Sequence, residues 1–271
     1  MNAVDMTDQE FACFQSMLFE HAGISLPSHK KHLVVSRLGK RLRKYQLSSF
    51  GEYWNLVCNA DNPTERQIAI DLLTTNETYF FREPKHFEFL QSHLESDLKK
   101  PNLRVWSAAC SYGQEPYSIA MLLADRLGYR EWEVIASDIS TKVLASAKKG
   151  LYPIEQAEKI PDVYLKKYCL KGVGEYDGHF LIDPQLQRKI KFSQINLNDD
   201  LPNTGSFDII FLRNIMIYFD HETKARLIQK LQNKIKVGGY LLIGHSETLN
   251  GIKSELSMIS PSIYQRAPGN L

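Results

Sequence analysis

The chain has 271 residues, which suffices for one large domain or for one ordinary domain with a smaller companion. Hydrophobic residues make up 43% and charged residues 24% of the sequence, so the composition predicts a packed globular protein and excludes general disorder. The net charge of +2 at pH 7 indicates no class of partner by itself, although the segment 30–44 contains many basic residues and no acidic one.

Residues 1–75 predict an all-helical N-terminal domain. Thr7 and Glu10 have the spacing of a capping box, and the helix that they begin is expected to end near Gly23. Ser49 and Glu52 have the same spacing and predict a second capping box before a later helix. Apolar residues recur at helical spacing after each of these signals, which favours packed helices over strands.

A basic helix is expected between these two helices, with Ser28 as its cap. Its apolar positions recur at helical spacing and are Val34, Val35, Leu38 and Leu42. Arg37, Arg41 and Lys44 lie three to four residues apart and predict a basic stripe on another face. An acidic protein surface or a polyanion could bind there, and a solvated helix face without a partner is the alternative.

Residues 101–271 predict an α/β domain, which a linker at 76–100 joins to the helices. The expected strands are Leu103–Ala108, Glu133–Ser137, Asp208–Leu212 and Tyr240–Gly244. Helical segments alternate with these strands, a pattern typical of a Rossmann-like, doubly wound and mostly parallel sheet. Gly238 and Gly239 are expected to form the turn after a helix that runs from about residue 221 to residue 236.

A small antiparallel β excursion is expected at about 172–193. Glycines at 172, 174 and 178 separate short apolar runs at 179–182 and 188–192. These runs are too short and too close together to continue the alternation of strands and helices. The excursion therefore predicts a β subdomain beside the main sheet.

The wide spacing of the cysteines and the lack of a recognisable targeting signal in the sequence predict a reduced compartment. The four cysteines are far apart and form no CxxC pair, so neither a zinc site nor a disulfide framework is predicted, and no metal is expected. The sequence contains no signal-peptide pattern and no run of about 18 apolar residues. A cytoplasmic protein without a membrane-inserted segment is therefore expected.

The segment after the first strand is the first candidate ligand site, because ligands bind beyond the carboxyl ends of parallel strands. This segment contains one glycine, Gly113, so the GxGxxG pattern is absent, which counts against pyrophosphate binding. Glu115 suits a cationic group such as the ammonium of an amino acid. The alternative is an acidic residue that only complements the helix dipole.

Two later strand ends add polar residues suited to a nucleoside. Asp138 can accept hydrogen bonds from both ribose hydroxyls and would repel a 2′-phosphate, although it could instead cap the next helix. Asn196 can bond to an adenine edge and Leu197 can pack on its face, unless the two form an ordinary polar turn. An adenosine joined to an amino acid, without phosphate, is the composition of S-adenosylmethionine.

Four segments carry a resemblance to a known family. They read LLTTNETYFFRE (72–83), WSAACSYGQEPYS (106–118), FDIIFLRNIMIYF (207–219) and GHSE (244–247). In combination they closely resemble the bacterial chemotaxis receptor (methyl-accepting chemotaxis protein) glutamate O-methyltransferase family. The resemblance extends from about Phe11 to Tyr264. It implies a Rossmann-like methyltransferase sheet and transfer of methyl from S-adenosylmethionine to receptor glutamates, with S-adenosylhomocysteine as product.

The resemblance also implies roles for individual residues. The implied cofactor-binding residues are Asn76, Thr78, Arg82, Glu115, Asp138, Asn196, Leu197, Arg213 and Asn214. Arg82 and Tyr218 match positions near the transferred methyl and are the candidate catalytic residues. The sequence departs from the family pattern at Tyr112 and Gln114, where the family often has a smaller residue and a glutamate, respectively. Tyr112 could narrow the mouth of the pocket, and Gln114 is assigned no role.

Partners follow from the same resemblance. Receptor methylation regions are helical and carry acidic residues, so Arg37, Arg41 and Lys44 are expected to bind them. The β excursion resembles the element with which some members of the family hold a receptor's C-terminal peptide. The protein is expected to be recruited to membrane receptors without inserting into the membrane.

Glutamate methylation needs little acid–base machinery. A glutamate carboxylate with an ordinary pKa near 4.3 is already ionised at neutral pH, so no general base is required. Positioning is then expected to dominate, and oriented binding contributes on the order of 7–11 kcal/mol in favourable systems. The guanidinium of Arg82 is expected to orient the incoming carboxylate.

Two other functions are consistent with parts of the sequence. A methyltransferase for RNA or a small metabolite would use the same cofactor site, although the near-neutral net charge and the lack of an aromatic–basic platform count against nucleic acid. An adaptor that senses the cofactor without transferring methyl is the other alternative. Arg82 and Tyr218 together count against such a degenerate site.

Overall fold

The computed structural model describes residues 4–59, 62–97, 102–128 and 131–267, and it begins with a bundle of helices. These are α1 (Asp8–Ala22), α2 (Lys31–Tyr45), α3 (Phe50–Cys58) and α4 (Pro63–Leu73). Their apolar faces enclose a core that includes Phe14, Leu38, Phe50 and Tyr53, all fully buried. Burial of such apolar surface is the main stabilising contribution to the bundle.

The starts of α1 and α3 test the two capping boxes. The first is confirmed, because the Thr7 hydroxyl accepts from the Glu10 amide (3.2 Å) and the Glu10 carboxylate accepts from the Thr7 amide (2.8 Å). The second is half right. Ser49 accepts from the Glu52 amide, but the Glu52 carboxylate bonds to the backbone of Ser48.

The expectation that Ser28 caps the basic helix is wrong. Ser28 begins a separate 3-10 turn, and α2 starts at Lys31 without a side-chain cap. The expected apolar face is largely confirmed, since Val34, Leu38 and Leu42 are buried.

The α/β domain begins with α5 (Pro84–Asp97) and centres on a sheet with the order β6-β2-β1-β7-β8-β10-β9. Its strands are β1 (Leu103–Ala108), β2 (Trp132–Asp138), β6 (Ile190–Gln194), β7 (Phe207–Leu212), β8 (Ile235–Ile243), β9 (Leu256–Ser260) and β10 (Ile263–Arg266). The first five strands in this order are parallel to one another, and β10 and β9 add an antiparallel edge. The expected doubly wound sheet is therefore observed.

Helices connect and cover these strands. They are α6 (Gln114–Leu127), α7 (Thr141–Lys149), α8 (Asp162–Tyr168), α9 (Pro184–Gln187) and α10 (His221–Gln232). Ser140 and Gly150 bound α7 as the N-cap and C-cap. None of the helices in the described part of the chain is long and apolar enough to cross a membrane.

Gly238 and Gly239 lie inside β8, which corrects the expectation that they form a turn after a helix. The helix ends at Gln232, and Ile235 already pairs with Phe207 in the sheet. A Cβ on Gly239 would lie 2.7 Å from the Asp208 carbonyl oxygen, so glycine permits a close approach of the two strands.

The small sheet has the order β3-β5-β4, with β3 at Leu151–Pro153, β4 at Cys169–Lys171 and β5 at His179–Ile182. The apolar run at 179–182 belongs to it as expected. The run at 188–192 does not, because α9 returns the chain to the main sheet, where β6 pairs with β2. Phe192 packs there against Tyr117, at 5.8 Å between ring centroids.

Candidate active site

A cavity of about 300 Å³ opens at the carboxyl ends of the parallel strands, between them and the helical bundle. The bundle contributes the chain from Ala22 to Lys30 and one side of α2. The residues that the sequence predicts to contact a cofactor all line this cavity, namely Asn76, Thr78, Arg82, Glu115, Asp138, Asn196, Leu197, Arg213 and Asn214. Tyr218 and Arg37 also line it, whereas Arg41 and Lys44 do not.

Arg213, Glu115 and Asp138 line one side of the cavity, which we call the inner wall. Arg213 makes most of the polar contacts there. Its guanidinium is buried and donates to the Glu115 carboxylate (3.0 Å), to the Glu83 carboxylate (3.1 and 3.2 Å) and to the backbone oxygen of Arg82. Glu115 also accepts from the Ser107 hydroxyl at 2.6 Å, so it does more than complement a helix dipole. Burial raises the pKa of Glu115, although Arg213 and Ser107 oppose this change.

Glu83 is a candidate site residue that the sequence analysis does not single out, although it ends the first of the family segments. Burial alone would raise its pKa, but Arg213 and donors from His245 and Asn214 hold it below its usual value. The carboxylate thus stays ionised and joins the linker to two strand ends. Its backbone φ of +58° is unusual for a non-glycine residue and is typical of functional sites.

Asp138 ends β2 and accepts two backbone hydrogen bonds. The amides of Ser111 (2.8 Å) and Ser140 (2.9 Å) donate to its carboxylate. It does not cap α7, since the Ser140 hydroxyl takes that position. Burial raises the pKa of Asp138, although these two donors oppose the change. Asp138 lines the cavity, and a carboxylate has lone pairs beyond those used by these two donors, so it can accept from ligand hydroxyls.

Asn196 and Leu197 follow β6 on the opposite side of the cavity. The side-chain amide of Asn196 donates to the backbone oxygen of His21 at 2.6 Å, and the side-chain amide of Asn198 donates to the backbone oxygen of Glu20 at 3.1 Å. These two carbonyls belong to the last turn of α1, where no helical donor reaches them. The same loop therefore lines the cavity and attaches the bundle to the sheet.

The linker lines a further side of the cavity with Asn76, Thr78 and Arg82. Ser111 donates to the backbone oxygen of Asn76 at 2.9 Å, which fixes the linker beside β1. The Arg82 guanidinium donates to the Glu77 carbonyl oxygen at 2.9 Å and lies 5.7 Å from the Tyr79 ring centroid. Arg82 is half-buried, and its position on the wall leaves donors for an anionic ligand.

The three basic residues of α2 have different environments. Arg37 donates to the backbone oxygens of Leu73 (2.9 Å) and Thr74 (3.0 Å) and lines the cavity. Arg41 turns instead into the bundle, where it pairs with a buried carboxylate. Lys44 is exposed. The basic stripe that the sequence predicts is therefore interrupted in its middle.

The buried partner of Arg41 is Glu65, which is 1% exposed. Its carboxylate accepts from Arg41 at 2.8 and 2.5 Å and from the hydroxyls of Tyr45 and Tyr53, each at 2.8 Å. Burial alone would raise its pKa, but Arg41 and the tyrosines hold it below its usual value. Arg41 is thus a structural residue of the bundle.

Replacing Arg41 with methionine is expected to destabilise the protein by about 3–5 kcal/mol, because the buried Glu65 carboxylate would lose its counter-charge. Urea denaturation measures this change in the free energy of unfolding. Arg43→Met, at an exposed position of the same helix, is the matched control and should cost no more than about 0.5 kcal/mol. Equal destabilisation by the two variants would refute the structural role.

The two positions where the sequence departs from the family pattern lie outside the cavity lining. The Gln114 amide donates to Gln156 at 3.0 Å. The backbone oxygen of Tyr112 accepts from the Tyr152 hydroxyl at 2.7 Å. The expected narrowing of the pocket mouth by Tyr112 is therefore not observed.

Glu83 also belongs to a cluster with two histidines that the sequence does not predict. Ligand atoms of Glu83, His86 and His245 lie within 4.8 Å of one another, a spacing that could hold a metal ion. Arg213 already compensates the Glu83 carboxylate, and burial beside this guanidinium lowers the pKa of His86 to about 3. The arrangement is that of a neutral histidine beside an ion pair.

Comparisons with known proteins cover almost the whole chain. The family described as "CheR methyltransferase, all-alpha domain" matches residues 9–74, and "CheR methyltransferase, SAM binding domain" matches residues 76–264.

Curated relatives align with nearly the whole chain. The chemotaxis protein methyltransferases of Salmonella typhimurium and Escherichia coli are each 38% identical over 262 residues. The alignment covers 96% of this chain in both cases, with 90% of the first relative and 91% of the second. Chemotaxis protein methyltransferase 2 of Pseudomonas aeruginosa is 38% identical over 265 residues, covering 96% of this chain and 94% of that protein.

Proposed function

The chain belongs to the CheR methyltransferase family and uses S-adenosylmethionine, and we propose that it methylates glutamate side chains of chemotaxis receptors. The product would be a glutamate methyl ester and S-adenosylhomocysteine. No metal takes part in the proposed reaction.

The observation that carries this proposal is the distribution of charge along the cavity. The inner wall carries the carboxyl groups of Glu115 and Asp138 and one guanidinium, that of Arg213. Arg213 pairs with Glu115 and with Glu83, which lies outside the cavity lining. The more exposed wall carries basic groups, of which Arg82 is one. An acidic interior suits a cationic donor, and a basic wall suits an anionic acceptor.

The residues of the inner wall suit each part of the donor. Glu115 can accept from the ammonium of the methionine moiety, and Asp138 can accept from the ribose hydroxyls. Leu197 is buried and can pack against the adenine. When bound, S-adenosylmethionine supplies an electrophilic methyl group on its sulfonium.

The chain's residues contribute positioning rather than proton transfer. A glutamate carboxylate is ionised at neutral pH and can approach the donor without a base. Arg82 orients this carboxylate through its planar fork of N–H groups. Tyr218 lies on the same cavity and limits where the acceptor can sit. Charges are neutralised as the methyl moves, so strong stabilisation of the separated ions would oppose the reaction.

We propose that the helical N-terminal domain, residues 1–75, recognises and binds the receptor. Arg37 lines the cavity, and Lys40 and Lys44 are exposed at the following turns of α2. These three groups form a basic surface that leads into the cavity and suits an acid-bearing helix. Arg41 is expected to bind the receptor from sequence, but it is not part of this proposed surface, because its guanidinium pairs with Glu65.

The double variant Lys40→Glu/Lys44→Glu is expected to raise the KM for receptor and to weaken its dependence on salt, with the KM for S-adenosylmethionine unchanged. Steady-state kinetics at several salt concentrations measure this. Lys148→Glu/Lys149→Glu makes the same charge change on α7, at two exposed positions, and serves as the control. A receptor KM that responds equally to both double variants would exclude α2 as the docking surface.

We also propose that β4 can hold an extended receptor segment. It lies at the end of the order β3-β5-β4 and exposes Leu170, with exposed Val173 and Tyr176 close behind it in sequence. An extended peptide can extend such an edge by backbone hydrogen bonds. Contact with membrane receptors from the cytoplasm is part of the same proposal.

The experiment that tests the function transfers radiolabelled methyl to membranes that carry unmethylated chemoreceptors. Label that is released by mild alkali is expected on the receptor, because carboxyl esters hydrolyse under these conditions. Alkali-stable label would indicate N-methylation. Cofactor binding without any labelling would favour an adaptor.

A further inference from the structure

The loop that follows β7 carries three residues of the candidate site, Arg213, Asn214 and Tyr218. Asn214 adopts a backbone φ of +56°, which is uncommon outside glycine and needs support from its surroundings. The loop then forms a 3-10 turn at Met216–Tyr218. Its conformation decides where all three side chains meet the cavity.

Glu247, after β8, supports the backbone of this loop. Its carboxylate accepts from the amides of Asn214 (3.0 Å), Ile217 (3.3 Å) and Gly244 (2.6 Å). Three N–H groups thus converge on one half-buried carboxylate, which makes no ion pair among the described residues.

Glu83 holds the same loop through the loop's side chains, whereas Glu247 holds its backbone. It accepts from the Asn214 amide group at 3.2 Å and from Arg213 at 3.1 Å. Gly244 permits the close fit, because a Cβ there would lie 2.6 Å from the Asn214 side-chain nitrogen and 2.9 Å from the Glu247 carboxylate.

We propose that Glu247 is a positioning residue for methyl transfer, which holds the backbone at 214–217 so that Arg213, Asn214 and Tyr218 meet the donor and the acceptor. This inference rests on the proposed function for its meaning in catalysis. Glu247 does not itself line the cavity, so its effect is transmitted through the loop.

Replacing the carboxylate with an amide tests this role. Glutamine keeps one acceptor oxygen and presents an NH₂ group to the remaining backbone donors, which it would repel. In Glu247→Gln, weaker binding of S-adenosylhomocysteine and a loss of roughly 10²-fold in kcat are expected, because small misplacements at a reacting centre have effects of this size. The KM for receptor should be unchanged, since α2 is untouched.

The measurements are calorimetric binding of S-adenosylhomocysteine, steady-state kinetics and urea denaturation on the full chain. Glu133→Gln is the matched control, since Glu133 pairs with Arg104 and Lys191 at the opposite end of the sheet. A folded Glu247→Gln variant with wild-type affinity and kcat overturns the proposal. A lower stability with unaltered affinity and kcat also overturns it, because that pattern indicates a structural role alone.

Gly244→Ala gives a second test from another residue and decides the matter if Glu247→Gln does not fold. Its Cβ would push Asn214 and Glu247 apart, so the same loss of affinity for S-adenosylhomocysteine is expected. The binding measurement needs no receptor. A wild-type protein that binds the product but labels no receptor would refute the proposed function, while the comparison of affinities still decides the role of Glu247.

Discussion

Replacing Arg82 with alanine is expected to lower kcat for receptor methylation roughly 10²-fold, because the acceptor carboxylate loses the group that orients it. The fold should tolerate the change. Arg82 is half-buried; among the residues that the structure describes, its guanidinium hydrogen-bonds only to the Glu77 carbonyl oxygen, and it lies over the Tyr79 ring. Single-turnover methylation at saturating cofactor, together with urea denaturation, separates the loss of rate from a loss of stability.

Two variants sharpen this test. Arg82→Lys keeps the charge but lacks the planar fork, so its rate should fall between those of wild type and Arg82→Ala. Arg226→Ala removes an exposed arginine that pairs with Glu222 on α10 and should leave the rate unchanged. A folded Arg82→Ala protein that methylates at the wild-type rate would rule out the orienting role.

Replacing Arg213 with methionine is expected to have the largest effect on the protein as a whole. The carboxylates of Glu83 and Glu115 would both lose their counter-charge in a buried site, which should cost about 3–5 kcal/mol of stability. Cofactor binding should be lost with it, since the inner wall would be rearranged. Urea denaturation and calorimetry with S-adenosylhomocysteine measure the two effects.

The pH dependence of this destabilisation identifies its cause. In the wild type, the lowered pKa of Glu83 contributes stability that is present above the unfolded-state pKa and lost as the pH falls through the folded-state pKa. Without Arg213, burial should raise this pKa instead. The difference in unfolding free energy between wild type and Arg213→Met should therefore be largest at neutral pH and shrink in acid. A difference that is independent of pH would indicate lost packing, not lost charge.

Local signals in the sequence predicted much of the fold. Thr7 and Glu10 mark the start of α1 through contacts within a single helical turn. The bounds of β1 also agree with its apolar run, because a buried parallel strand needs apolar residues on both faces. Signals of this kind lie within a few residues of one another and can be read without knowledge of the partner.

Elements that depend on distant partners were harder to predict. Gly238 and Gly239 have the sequence of a turn, yet they lie within β8, where Gly239 accommodates the neighbouring Asp208 carbonyl. The run at 188–192 was assigned to the small sheet, but its pairing with β2 is a contact that no local pattern reveals. Strand register and sheet membership are set by such tertiary contacts.

The candidate site shows the same division. Glu115 and Asp138 are predicted as ligand contacts because strand ends mark ligand sites in parallel sheets, and both line the cavity. Arg41 was placed on a receptor-binding face because helical spacing cannot show that Glu65, on another helix, would draw it inward. The sequence does not single out Glu83 and Glu247, because both are distinguished by contacts to a distant loop. Their presence in the family segments was the available signal.

We propose that the acidic inner wall and the basic outer wall of the cavity direct methyl transfer to glutamate carboxylates. Mass-spectrometric mapping of a receptor after incubation with the protein and S-adenosylmethionine tests it most directly. Methyl groups confined to glutamate residues of the receptor's helical cytoplasmic region, and removed by mild alkali, are the predicted result. Methyl groups on lysine or arginine, or none on a receptor exposed to cofactor-bound protein, would contradict the claim.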